Sequence, residues 1–432
     1  MLKFGSRGHS PLGRLSTFLL VIALVGSWGC GGGSVSAIGP TPTPNPSPSP
    51  VPTPTPTLPA GTIGMKVLDT SVPPGGIFQW QLSNTEPKPI GHGSTRPQIP
   101  PGPVRGVAIN DPSGHAAGIA LVAPSGVSIQ LTSPDALLGT NVTYPVVTMS
   151  MPLSNSLTPG SASTIGIDTA STNLFQDATT KYTTLEFAAG TLTIAPAGSP
   201  YISDVIPGGG LLPDRTTIRV LGAGFNANTR VSIEGTTIVP SDATFVNSGE
   251  IDVKICNGTV ADGAATCPNT GATFQLDGER VRVKDQNTNF VLEYFTYLRA
   301  DDAPGTSGNT MVTEVHPMFS RQTYLAATIP LVNTGTQFTG FALQNTSGTD
   351  DGIKIELLDA SNASLNPAAT FSLVLPAGHK IARDVIEDWF SGSVPVGAAN
   401  VKMTVTSGGV PVQALGMHGD TSAGTVTPVI PQ

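Results

Sequence analysis

Six histidines, at positions 9, 92, 115, 316, 379 and 418, are the first residues to test for chemistry. Their spacing offers none: no two stand as a close ligand pair, and no HExxH occurs. The chain also lacks a GxSxG elbow, a Walker loop and a dinucleotide-binding glycine fingerprint. Gly208-Gly209-Gly210 precedes a strand pattern, without the following helix and lysine that a phosphate cradle uses. The adjacent acids Asp350-Asp351 are of the right type for glycoside hydrolysis, but that chemistry needs two carboxylates held across a cleft, which neighbours in one turn do not supply. Asp301 and Asp302 are the candidates for calcium at a domain junction. Calcium takes six or more oxygens, and the loop around them has no matching ligand spacing, which favours solvated turn carboxylates. The expectation is therefore a non-catalytic protein without metal or cofactor.

Two constellations remain. Glu86, Lys88, His92 and Arg96 fall within Thr85 to Pro103, a long, polar, proline-rich stretch that reads as a loop, and loops of that length in a compact domain are often functional. These four are the ligand-binding candidates; the competing reading is a surface crossing stiffened by prolines, with its charges merely solvated. Cys256 and Cys267 have ten residues between them, with Asn257-Gly258-Thr259 and Asp262-Gly263 able to turn the chain back. In an oxidising compartment they are expected to form a disulfide, and a zinc site is the poorer alternative because no histidine lies near in sequence.

The compartment is read from the other end. Lys3, Arg7 and Arg14 precede the apolar segment FLLVIALV (Phe18 to Val25), and small residues lead from it to Cys30. That is the layout of an export signal, with a core too short to span a bilayer. It resembles a bacterial lipoprotein signal, in which the cysteine becomes the lipidated first residue of the mature chain. The resemblance implies lipidation at Cys30, with Gly31 to Ser34 as a flexible tether. Ser27 and Trp28 stand where that family prefers Leu and a small residue, and cleavage after Val35-Ser36-Ala37 is the alternative, giving a soluble secreted chain. A glycine after the cysteine implies outer-membrane sorting in a Gram-negative host.

From Pro40 to Pro59 nearly every second residue is proline. Proline fixes φ and pushes the residue before it to extended geometry, so this run reads as a polyproline II stalk reaching about 60 Å. The whole chain of 432 residues has 50 Gly, 40 Pro and only 12% charged residues, a profile of short strands and turns. A net charge of −8 supplies no basic face for nucleic acid. No second segment is apolar enough to cross a bilayer, so membrane contact is expected only through the N-terminus.

The boundaries follow from turn signals: a signal peptide over 1–29, anchor and stalk over 30–60, a β-sandwich over 61–199, a second unit over 200–299, a linker over 300–315 and a third, strand-rich unit over 316–432. In the first unit, Ile77 to Leu82 alternates as a strand with one face buried, followed by strands at 104–109, 118–122, 127–131, 146–151, 163–167 and 182–187. In the last, strands are expected at 323–331, 340–344, 353–358, 371–375, 401–405 and 412–417, with Asp350-Asp351-Gly352 and Pro376-Ala377-Gly378 as turns. One helix is expected, Lys380 to Phe390, with 381, 385, 386, 389 and 390 on one face.

The second unit carries Pro200, Ile202 and Pro207, then Ile218-Arg219-Val220-Leu221-Gly222 running into Gly224-Phe225, then Val231, Ile233 and Gly235, Ala243 to Val246, Ile251 to Val253 and Phe290 to Tyr297. It resembles the IPT/TIG family of immunoglobulin-like domains. The resemblance implies a β-sandwich of about a hundred residues and no particular activity. The fold expected is thus all-β, tandem immunoglobulin-like sandwiches behind a signal and stalk, with one short helix. Every feature read so far serves position and display. The functional expectation is a cell-surface lipoprotein for adhesion or ligand capture, its partner an extracellular protein or glycan. The alternatives are a glycan-binding accessory of polysaccharide uptake and a secreted hydrolase with an unrecognised site.

Overall fold

A computed structural model describes residues 58–432, apart from 112, 124–125, 170–173, 235, 238–241, 258–272, 277, 288–289, 298–313, 421 and 424. The signal segment, Cys30 and nearly all of the stalk lie outside the described residues, as do Asp301, Asp302 and Cys267. Residues Pro56–Gln432 form one compact unit, and the regular secondary structure of its described residues is almost entirely strand. Within it three separate cores are enclosed by packed sheets, as all-β patterning requires.

In the first sandwich, one sheet runs in the order Thr184–Ala188, Thr62–Val67, Ile77–Asn84, Val147–Pro152, Gly106–Ile109. Facing it are a sheet of Thr70–Val72, Gly190–Ile194, Ala162–Ile167 and Pro97–Gln98, and another of Leu174–Gln176, His92–Thr95, Gly126–Thr132, Ala117–Ala123 and Glu314–Met318. Trp80, Phe78, Met65 and Met149 from one layer meet Ile129, Leu131, Ile165 and Leu192 from the other. The Trp80 indole N–H donates to the Gly166 carbonyl at 3.0 Å, so the largest core residue buries no unpaired donor.

The second sandwich sets Tyr201–Ile206, Thr217–Ala223, Glu250–Lys254 and Ala243–Asn247 against Thr229–Ile233, Arg280–Asp285 and Val291–Phe295. Ile218 and Val220 alternate inward beside Ile251, Val253, Val281 and Val283. Gly224 holds φ at +78°, which lets the chain turn and seat Phe225 in the core. The third sandwich sets Ala326–Pro330, Asn400–Ser407, Asp351–Leu358 and Ser364–Leu375 against Lys380–Asp384, Gln337–Gln344, Gln413–Asp420 and Thr425–Val429.

Three local expectations fail. Thr85 to Pro103 is not one loop: His92–Thr95 and Pro97–Gln98 are strands, His92–Thr95 pairing with Gly126–Thr132 and Pro97–Gln98 with Ala162–Ile167. Asp351 and Gly352 are not turn residues but open the strand Asp351–Leu358. Nor is Lys380 to Phe390 a helix. Its first half is a strand paired with Gln337–Gln344, and only Val385–Trp389 makes a helical turn, its start capped by Asp384 accepting from the Ile386 and Glu387 N–H groups. Sheet pairing of Lys380–Asp384 overrides the helical spacing, while Val385, Ile386 and Trp389 still bury as that spacing demands. Trp389 stacks on Phe371 with ring centroids 6.0 Å apart.

Two strands depart from half-burial, and the departure shows where the sandwiches join. In Ile77–Asn84 the expected exposed face is covered as well: Ile77 enters the second core, and Gln79 is only 6% exposed. In Ala117–Ala123 the face carrying Ala117, Ile119 and Leu121 packs on Ala342, Leu415, Met417 and Val426 of the third sandwich. A strand buried on both faces cannot end a body; it must lie between two.

Candidate functional site

Polar groups from separate elements meet at the joints between sandwiches, where a small cleft opens. It is lined by Asp111, Gly114 and Ala116 of the first sandwich, Gln275 of the second, and Met318, Arg321, Gln344 and Lys380. Its free space of about 40 Å³ holds on the order of three waters.

Each polar group there also has structural work. The Asp111 carboxylate accepts from the Ser113 N–H at 3.0 Å, the Ser113 hydroxyl at 2.8 Å, and the His115 and Ala116 N–H groups at 2.9 and 2.7 Å. That closes the turn after Gly106–Ile109 in the manner of an Asx turn. The Arg321 N–H donates to the Gly114 carbonyl at 2.6 Å, and its guanidinium donates to Glu279 of the second sandwich at 2.6 Å. Gln344 and Lys380 are paired residues of neighbouring strands, 2% and 4% exposed, and the Gln344 amide nitrogen has no hydrogen-bond partner among the described residues. Arg321 thus ties Gly114 of the first sandwich to Glu279 of the second, and space for water is left beside it.

The joint of the first and second sandwiches is polar. The Gln79 side chain donates to the Phe295 carbonyl at 2.9 Å and accepts from the Phe295 N–H at 2.8 Å, reading the edge of Val291–Phe295 as a neighbouring strand would. Arg105 donates to the Ser203 carbonyl at 3.2 Å and lies 3.5 Å from Asp204. Arg280, ion-paired with Glu234, places its guanidinium 4.8 Å from the centre of the Tyr144 ring, a cation–π contact. Tyr297 packs over Gly106 so closely that a Cβ there would stand 2.0 Å from its ring. Burial, with Tyr297 beside it, pushes the Tyr294 phenol well above the ordinary range.

The joint of the first and third sandwiches is backbone and hydrocarbon. Glu314–Met318 pairs antiparallel with Gly118–Val122 and so extends the sheet of the first sandwich. Pro317 is tolerated because this is an edge strand. The apolar layer between Ala117–Ala123 and the third sandwich completes it, and Gln413 donates to the Ser320 carbonyl at 2.9 Å.

The residues singled out by sequence are dispersed. Glu86 accepts from the Leu58 N–H at 2.8 Å, fixing where the chain enters the folded body. His92 and Arg96 are exposed and Lys88 half-buried; among the described residues no hydrogen bond or ion pair joins any two of these four side chains. His115 pairs with Asp135 at 2.6 Å, His316 is buried in Glu314–Met318, and the His418 ring contacts the Pro330 carbonyl at 2.9 Å. His379 follows the Pro376-Ala377-Gly378 turn, and His9 lies outside the described residues. Asp350 accepts from the Ala377 N–H at 3.0 Å, while burial raises the neighbouring Asp351 carboxyl above its usual range, against a lowering contact from the Val410 N–H. Cys256 is buried on Cys256–Asn257. Among the described residues no three His, Cys, Asp or Glu side chains are placed to hold a metal ion, and no helix is long and apolar enough to cross a membrane.

Comparison with known proteins yields no matching family model and no matching curated protein. Among solved structures, the chain is similar to cohesins. The third ScaC cohesin of Acetivibrio cellulolyticus, solved with the ScaB dockerin, aligns at 14% identity over 31% of this chain and 99% of its own, with a TM-score of 0.26. A type I cohesin–dockerin complex from Clostridium thermocellum aligns at 18% identity over 31% of this chain and 99% of that chain, with a TM-score of 0.25. A non-cellulosomal cohesin from Archaeoglobus fulgidus aligns at 10% identity over 31% and 92%, with a TM-score of 0.27. Likeness at that level carries no argument about activity or partner.

Proposed function

We propose that the chain is a non-catalytic display protein of the cell envelope: a lipid on Cys30 and a proline-rich stalk hold out a rigid body of three sandwiches for adhesion or capture of an extracellular protein. The observation that carries this reading is the fusion itself. Buried polar contacts at one joint, and at the other an added strand with an apolar layer, join the sandwiches into a single compact body, which suits presentation at the end of a spacer. Rigid presentation lowers the ordering cost of binding a partner. The kinship of the second sandwich to IPT/TIG domains, the Cys256–Cys267 bridge, and a recognition role for Glu86, Lys88, His92 and Arg96 belong to the same proposal.

The glycan reading draws less support, because sugar platforms use open aromatic rings and, among the described residues, Phe245 alone of the aromatics is exposed. The test is fractionation in a Gram-negative host with the native leader. Wild-type chain is expected in the outer-membrane fraction and Cys30→Ala in the soluble fraction; mature wild-type chain found wholly in the medium, starting after Ala37, overturns anchoring.

A further inference from the structure

Ser364–Leu375 is the longest strand among the described residues, and it lies at the edge of its sheet, paired on one side only, with Asp351–Leu358. Pairing is regular from Ala369 to Leu375, after an irregularity at Leu357/Leu358. That stretch, ATFSLVL, carries no charge and no proline. Unguarded edges of this kind are templates for another strand, and proteins usually blunt them with Lys, Pro, bulges or shortness. Several other described edges carry such features or a charge; in Ser364–Leu375 itself Pro367 lies outside the Ala369–Leu375 stretch. Thr184–Ala188 carries Glu186, Thr229–Ile233 carries Arg230, Val291–Phe295 carries Glu293, and Thr425–Val429 carries Pro428. Ala243–Asn247 is uncharged, but it is five residues long with an irregularity at Phe245/Asn247.

We propose that Ala369–Leu375 pairs antiparallel with the same strand of a second copy of this chain. The occupant follows from the sequence of the edge. An antiparallel pair centred on Ser372 keeps core-facing residues opposite core-facing ones, setting Ala369 against Leu375 and Phe371 against Leu373. On the outer face it sets Thr370 against Val374, which is 65% exposed. Because the strand is uncharged, no like charges meet across the dyad, and the contact closes on itself as an isologous pair. Phe371 and Leu373 already pack on the third core but are only partly buried there, so pairing removes more apolar surface from water. The two four-stranded sheets become one of eight strands, within the ordinary range.

The experiment uses the full chain in sedimentation and in cross-linking on whole cells, and it does not depend on whether Cys30 is lipidated. Wild type is expected to show a reversible monomer–dimer equilibrium below about 100 µM. Ser372→Lys and Ser372→Glu, each placing like charges opposite at the dyad, are each expected to weaken it by about tenfold or more, while an equimolar mixture of the two restores dimers. Thr370→Cys/Val374→Cys is expected to trap a covalent dimer on oxidation. Because Ser372 is exposed, unchanged thermal unfolding of the monomeric variants separates a lost interface from a lost fold. A wild-type chain that stays monomeric at that concentration, or a Ser372→Lys variant that dimerises as wild type does, overturns the proposal.

Discussion

The two joints solve one problem with opposite chemistry. Between the first and second sandwiches, directional polar contacts do the work: the Gln79 amide on the Phe295 backbone, Arg105 at Asp204, Arg280 over Tyr144. Between the first and third, the contact is a ladder of backbone hydrogen bonds backed by aliphatic side chains. The first kind demands precise geometry from a few residues, since a buried amide that loses its partners pays its full desolvation cost. The second spreads over many atoms and tolerates substitution by residues of similar volume. The polar joint should therefore fail abruptly at single positions and the apolar joint gradually.

The largest test falls on the apolar joint. Leu415 is fully buried between Ala117–Ala123 and the third sandwich, and Leu415→Ala is expected to cost about 2–5 kcal/mol, measured by denaturant unfolding. Leu415→Met should cost less than about 1.5 kcal/mol, and equal losses from the two would contradict a volume-tolerant joint. Next comes Gly106→Ala, which drives a methyl to 2.0 Å from the Tyr297 ring and is expected to cost about 1–3 kcal/mol by overpacking. Loss of coupling would appear as separate unfolding transitions for the first and second sandwiches, where a single transition is expected of wild type. Gln79→Leu keeps the volume but strands the Phe295 N–H and carbonyl, and about 1–3 kcal/mol is expected. A neutral result would show that the amide bridge adds nothing beyond packing.

The same contrast explains what could be read in the sequence. Strand positions were legible because alternation reports burial directly, as in Ile353–Leu358 or Val127–Leu131, and the all-β architecture follows from them. The apolar joint left a trace in the continuous run Ala117-Gly118-Ile119-Ala120-Leu121-Val122-Ala123, too apolar for a strand with a wet face. The polar joint left none, because Gln79 in Ile77–Asn84 looks like any solvent-facing residue and its partner is a backbone 216 positions away. Glu314–Met318 was hidden for a different reason: glutamate, histidine and proline argue against a strand, and an edge position alone permits them. The helix read into Lys380 to Phe390 shows the reverse error. A spacing of 381, 385, 386, 389 and 390 also suits a strand that runs straight into one helical turn. The ligand candidates were chosen as one loop, but His92–Thr95 is a strand paired on both sides, which takes His92 into a sheet and leaves Glu86 and Lys88 in the segment before it.

The smallest effect separates the joints by salt. Arg105 and Asp204 stand 3.5 Å apart with side chains 32% and 9% exposed, so the pair is worth no more than about 1 kcal/mol and is partly screened. Raising sodium chloride should therefore weaken only the polar joint, read as faster amide hydrogen exchange in Val291–Phe295, while Glu314–Met318 keeps its protection. Sulfate acts on both by different routes: it screens the ion pair but, being excluded from apolar surface, strengthens the layer around Leu415. Arg105→Met should reduce the chloride response and leave intact sulfate's strengthening of the layer around Leu415. If chloride instead loosens Glu314–Met318, charge is holding the apolar joint as well, and the division between the two joints does not describe this molecule.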